Sequence, residues 1–350
     1  MLRLAFFLSS FLLTIPAAFA QVNIDTMAFT AIAQDLSLNT ENGMVIIGET
    51  HDAKNTFESQ LFLIRHLVAN GYKKIFIEGG KSEAQILNLY LSSGDTSILK
   101  YTRAANENRE FRTFIERICE LNKNTNAGIV FYGFDFERPV CLNFLFHKWF
   151  ENVITKDMGM NKNIEELLSI RDNGDRTFKR IYENSEAVKN VFNIIKADFV
   201  TYEKQYRDIL KGNFSAFEEI VFNPSYFKST GDMQRDKYMA EAMLVYEGKV
   251  GLNKAIVITG TFHIVHRDRF ISRLLKKTKM DYATTVFIPV YKNCTMLDQR
   301  TYKFNSEHSL LRCLKDKPEK PLITFYRTTE RFVPVDRKVM STILVGFYDQ

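Results

Sequence analysis

Two short stretches, far apart in the chain, pair imidazole with carboxylate in ways that suit proton transfer or metal binding. One is Gly48-Glu49-Thr50-His51-Asp52 and the other is Thr259-Gly260-Thr261-Phe262-His263. An imidazole near its ordinary pKa can take or give a proton at neutral pH, so His51 and His263 are the leading candidates for a general base. They are equally candidates for metal ligands. With Glu49 they would form the two-His, one-carboxylate shell that recurs in catalytic metal sites. Glu49 and Glu78 can also orient a histidine or raise its basicity. His266 lies three positions after His263, a spacing that on a helix would turn it toward the same cleft. Arg235, at the approach to a helix, can clamp a carboxylate or phosphate with two parallel hydrogen bonds. Asp135 follows an apolar run and joins the list as a substrate-binding candidate. No role is assigned to His66, His147 or His308.

These residues are informative because of the elements that must present them. Met44-Val45-Ile46-Ile47 is a short apolar run of the kind that forms a strand buried on both faces. Phe57, Leu61, Ile64, Leu67 and Val68 then recur at helical spacing, and Asn70-Gly71 ends that helix. Further strands are expected at Ile75–Ile77, Ile129–Tyr132, Ala255–Ile258 and Thr285–Ile288. Helices are expected through Ala84 to Leu91, from about Asn106 to Leu121, from Asp232 to Tyr246 and from Phe270 to Leu275. Alternating strands and helices predict an α/β fold with a mostly parallel β-sheet flanked by helices. Residues from about 138 to 228 contain no convincing strand and read as a helical insertion. Strand-like runs at Leu322–Tyr326 and Ser341–Tyr348 give a strand-rich C-terminal tail. In open parallel sheets ligands gather beyond the carboxyl ends of the strands. Four of the expected strands end in Glu49, Glu78, Asp135 and His263, each beside one or more glycines. A core would not otherwise place carboxylates and imidazoles at one edge four times over.

The chain opens with Arg3, an apolar run from Leu4 to Thr14 and Ala18-Phe19-Ala20, the pattern of a secretory leader cleaved after Ala20. The expected organisation is therefore residues 1–20 as signal peptide and 21–350 as a single α/β domain carrying the insertion, periplasmic or secreted. No transmembrane anchor is expected after cleavage. An amphipathic helix is expected around Met27 to Leu36. The net charge of +6 comes without a dense basic block beyond Lys276–Lys279, which suits the end of a helix better than nucleic acid. None of the four cysteines forms a C-x-x-C pair, which argues against a zinc ribbon or a thioredoxin-type motif. Export permits disulfides, and Cys294 with Cys313 is the first pair to test. Four unpaired thiols, Cys119 and Cys141 included, are the alternative.

The motifs together resemble the ChaN-like, TIKI and erythromycin-esterase-like superfamily. The resemblance rests on Gly48–Asp52 followed by a helix carrying Gln60, Glu78 after the second strand, Tyr132-Gly133-Phe134-Asp135, Arg235–Glu241, and Thr259–His263. It covers about residues 44 to 275, with the insertion poorly matched. It implies a parallel α/β core and divides on function. Erythromycin esterases hydrolyse a lactone with water activated by a histidine, TIKI proteins are metal-dependent proteases, and ChaN-like proteins bind haem. Only Thr50 separates Glu49 from His51, and Gly260 stands where the esterases carry an extra histidine. Both differences bring the chain nearer ChaN and TIKI, although the lipid-attachment cysteine of a ChaN-type lipoprotein is missing. The expected function is a hydrolase using Glu49 and His51 to activate water, directly or through a divalent metal, on an ester, lactone or peptide. A haem-binding protein is the alternative, and an envelope protein with a degenerate site ranks below both.

Overall fold

The computed structural model describes residues 43–50, 53, 56–102, 109–169, 178–223, 232–279, 282–292, 294–295, 303–304, 324–328 and 339–348. The expected leader, the helix around Met27 to Leu36, His51, His308 and the pairing of Cys294 with Cys313 lie outside the described residues.

The apolar runs form the centre of the sheet. Strands β1 (Gly43–Glu49), β2 (Lys74–Ile77), β3 (Val130–Gly133), β4 (Ala255–Gly260), β5 (Ala283–Lys292), β8 (Thr324–Thr328) and β9 (Val339–Tyr348) make one sheet in the order β3-β2-β4-β1-β5-β9-β8. All neighbours run parallel except β8, which is antiparallel to β9. The tail thus extends the sheet, with β8 as its outer strand. A separate short antiparallel pair joins β6 (Cys294–Thr295) to β7 (Lys303–Phe304).

Successive side chains of a strand point to opposite faces, and both faces here are covered. Val45, Ile47, Ile75, Ile77, Ile256 and Ile258 enter one apolar cluster. Met44, Ile46, Phe76, Ala255 and Val257 enter the other. This is why the strands read as unbroken apolar runs and not as alternating ones. The first face is covered by α1 (Thr56–Ala69), α2 (Lys81–Ser93) and α3 (Arg109–Thr125). The second is covered by α8 (Asp232–Val250) and α10 (Phe270–Lys277), which place Met239, Met243, Tyr246, Phe270, Ile271 and Leu274 against it.

Between β3 and α8 the described chain is helical throughout, as expected for the stretch from about 138. It forms α4 (Pro139–Phe150), α5 (Met158–Leu168), α6 (Phe178–Leu210) and α7 (Phe214–Val221). Leu142, Phe146, Phe150, Leu167, Tyr206 and Phe217 belong to the same apolar cluster as Val45 and Ile47. The inserted helices therefore thicken one face of the sheet and add to an existing core. Among the described residues, no helix is long and apolar enough to cross a membrane. Cys119 and Cys141 are buried free thiols.

The join between β2 and β3 is tight where both enter the carboxyl edge. Asp135 N–H donates to the Gly79 carbonyl at 2.9 Å. A Cβ on Gly133 would lie 2.0 Å from the Gly80 carbonyl oxygen and 2.7 Å from that of Gly79. Backbone meets backbone there, so neither side can yield cheaply. Glu137 closes the same corner: its carboxylate accepts from Lys81 N at 2.9 Å, Ser82 N at 3.0 Å and Asn223 Nδ2 at 2.6 Å, and also from the Ser82 hydroxyl. It thereby caps α2, whose own first residues supply no side-chain cap. Gly133→Ala is expected to destabilise the fold by at least ~1–3 kcal/mol, the usual range for overpacking, and to shift the carboxyl edge. Chemical denaturation measures it; a midpoint equal to wild type would show that the two loops are not locked.

Candidate active site

The parallel register brings the strand ends level. Glu49 of β1 is paired with Gly260 of β4, and Ile77 of β2 faces both Ile258 of β4 and Gly133 of β3. Glu78 and Asp135, the next polar residues of β2 and β3, therefore emerge beside one another at the edge. Glu78 is fixed by β4: its Oε2 accepts from Gly260 N at 2.7 Å and from Thr259 Oγ1 at 2.9 Å.

Two carboxylates this close and this buried need a cation. Arg235, in the first turn of α8, supplies it. Its Nε donates to Asp135 Oδ1 at 3.1 Å, and one terminal nitrogen donates to Asp135 Oδ2 at 2.5 Å and Glu78 Oε1 at 2.6 Å. The Asp135 contact is the two-pronged geometry that guanidinium favours. Burial alone would lower the arginine's pKa, yet Asp135 and Glu78 together raise it above the ordinary value. The Arg235 side chain is 25% exposed while Glu78 and Asp135 are 3% and 1% exposed. The face this cluster offers to solvent is thus the guanidinium. Arg235 lies inside the helix expected from Asp232, in its first turn.

His263 completes the cluster. It falls on a single turn of helix, α9 (Phe262–Val265), that follows β4 directly, and not at the strand end itself. The turn swings the ring back over β2. Nδ1 lies 2.5 Å from Asp236 Oδ1, and Nε2 lies 3.4 Å from both Glu78 Oε1 and the second terminal nitrogen of Arg235. Burial disfavours the charged ring, but the hydrogen bonds to Asp236 and Glu78 outweigh it and raise the pKa from 6.5 to about 9. The raised pKa favours the charged ring, and Glu78 Oε1 lies within reach of both the ring and the guanidinium.

A general base or a metal ligand needs an unprotonated ring nitrogen, and the metal set expected from the sequence includes His51, which lies outside the described residues. Among the described residues, no three His, Cys, Asp or Glu side chains are grouped to hold a metal ion.

Asp236 is the residue that sequence reasoning missed. It is fully buried and accepts from His263 Nδ1, from Arg269 at 3.0 Å and from the Phe270 backbone N–H at 3.1 Å, the first residue of α10. Its only signal was its place next to Arg235. Glu49 lies one strand over, where its carbonyl accepts from Thr261 N at 2.8 Å and its carboxylate accepts from Gln60 Nε2 of α1 at 2.9 Å. The structure therefore joins Glu78, Asp135, Arg235 and His263 in one network and sets Glu49 on the adjoining strand end with Gln60. The helical turn ends at Val265, His266 is extended, and its ring packs 4.4 Å from that of Phe262.

A doubly wound α/β core with an ionic cluster at its carboxyl edge defines the class. In fold, the chain is similar to a solved erythromycin esterase. A mutant of the erythromycin esterase EreC in its open conformation aligns with TM-score 0.55 and 13% identity, over 90% of this chain and 92% of that one. A protein from Bacillus cereus aligns with TM-score 0.53 and 13% identity, over 91% and 97%. Haem-bound ChaN of Campylobacter jejuni aligns at TM-score 0.32 and 12% identity, over 74% and 85%, too remote to argue for haem. No protein-family profile and no curated protein matches the sequence.

His263 titrates higher in the folded chain than its ordinary 6.5, so the stability it contributes is fully present below about 6.5 and is lost as pH rises through about 9. Asp236→Asn removes the anion responsible. It is expected to bring the His263 titration down to 6.5 or lower, read from the ring proton resonances, and to cost ~3–5 kcal/mol as buried cations lose their partner. A titration that stays near 9 would assign the shift to Glu78 instead.

Proposed function

We propose that the protein is a hydrolase that cleaves an ester or lactone with water as the nucleophile. The observation that carries this reading is the part-exposed guanidinium of Arg235, held rigidly at the carboxyl edge by buried carboxylates with the His263 ring beside it. Such preorganised donors stabilise the oxyanion that forms when water adds to a carbonyl, and they do so without reorganising during the step. Glu49 and His51 take the role of activating that water, as the sequence suggests. Glu78 orients Arg235 and His263. Asp135 fixes the guanidinium and touches substrate only through it. The shared fold with an erythromycin esterase supports an ester-class substrate, and the helices between β3 and α8 supply variable walls for it.

Purified protein should hydrolyse activated esters or lactones, with equal rates before and after chelation. Arg235→Ala is expected to reduce kcat/KM by ~10²–10³-fold, the usual effect of deleting an oxyanion donor, and His263→Ala to reduce it by releasing Glu78 and Arg235 from their positions. Arg235→Lys should not restore activity, because an ammonium cannot bond Asp135 in a fork and reach Glu78 together. Activity should decline as pH rises through about 9, where His263 loses its charge. Variants as active as wild type would overturn the assignment. We also propose export with cleavage after Ala20; N-terminal sequencing of the secreted protein should begin at Gln21, and a retained leader would refute it.

A further inference from the structure

Gln60 is only 1% exposed and sits in the second turn of α1. Its amide orientation is fixed by chemistry. A carboxylate only accepts hydrogen bonds, so the atom 2.9 Å from Glu49 Oε2 must be the amide nitrogen. The oxygen Oε1 is then turned elsewhere, sealed from solvent, and has no donor among the described residues. The hydroxyl of its neighbour Ser59 is occupied by the Thr56 carbonyl at 2.8 Å. Leaving an amide oxygen buried and unpaired is costly, and proteins usually answer it with an ordered water. An apolar residue would avoid the cost, as Leu61, Leu63 and Ile64 do on the same helix.

We propose that Gln60 Oε1 and the Glu49 carboxylate together seat one water molecule at the end of β1, and that this is the attacking water. The second half rests on the hydrolase reading above; the seat itself does not. One O–H of the water donates to Gln60 Oε1 and the other to Glu49. The water oxygen adds to the substrate carbonyl carbon while its proton passes to the Glu49 carboxylate. The resulting oxyanion faces Arg235. Collapse breaks the carbon–oxygen bond to the alcohol, and the departing alkoxide takes the proton from Glu49. Gln60 therefore holds the nucleophile by a bond that no substrate atom shares.

A high-resolution crystal structure of the wild-type protein tests the seat. An ordered oxygen within about 3.2 Å of both Gln60 Oε1 and the Glu49 carboxylate is the expected result. A side-chain donor of the chain itself on Oε1, or a dry void, overturns it. Gln60→Leu tests the role: kcat is expected to fall about 100-fold, as a misplaced reactant costs, with KM unchanged and the ordered water gone from the variant crystal. KM and melting temperature changing together with kcat preserved would show a structural residue instead. If the water is present and the wild type hydrolyses no ester or lactone, the hydrolase reading fails while the seat stands.

Discussion

The site depends on one ionic interaction: Arg235 bonded to both Glu78 and Asp135. Isolated carboxylates as buried as these would cost several kcal/mol each to keep ionised. The guanidinium removes that penalty because its planar donors match Asp135 in a fork and still reach Glu78. In doing so it ties the ends of β2 and β3, two neighbouring strands, to the first turn of α8. Asp135 and Glu78 lie 100 and 157 residues from Arg235 along the chain, so the bonds fix long-range geometry that no local turn could set. The backbone contact of Gly133 with Gly80 brings the two strand ends close enough for one arginine to serve both.

The same network decides what His263 can do. Two carboxylates flank the imidazole and favour its charged form. Division of labour follows from this. Positive charge collects over β2 and β4, while Glu49 and its amide partner Gln60 lie at the end of β1 on the α1 side.

Much of this was legible in the sequence because strand burial leaves a clear mark. Runs such as Val45-Ile46-Ile47 and Ile256-Val257-Ile258 have no polar face, so the first polar residue after each marks the sheet edge. Glu78, Asp135 and Glu49 were found in that way, and the register confirms that they emerge at one edge. Four things were not legible. His263 lies one helical turn beyond its strand, and that turn redirects its ring. Its charge state depends on burial and on Asp236, and no spacing rule links position 236 to position 263. Arg235 and Asp236 are adjacent on a helix, yet each faces a different partner; sequence marks them only as two charges in a row. Gln60 stood within a recognised pattern, but an unpaired oxygen is a property of packing and appears only in three dimensions.

Asp236 does two jobs with one carboxyl group. The oxygen that holds the His263 ring also accepts from the first amide of α10, whose Phe270 stacks 4.8 Å from Phe134, the residue before Asp135. The acidity of the ring and the seating of a core helix therefore share an anchor. Tuning one independently of the other is closed to single substitutions at this position. A relative adapted to another working pH would have to retune through Glu78 or through the burial of the ring, leaving Asp236 in place.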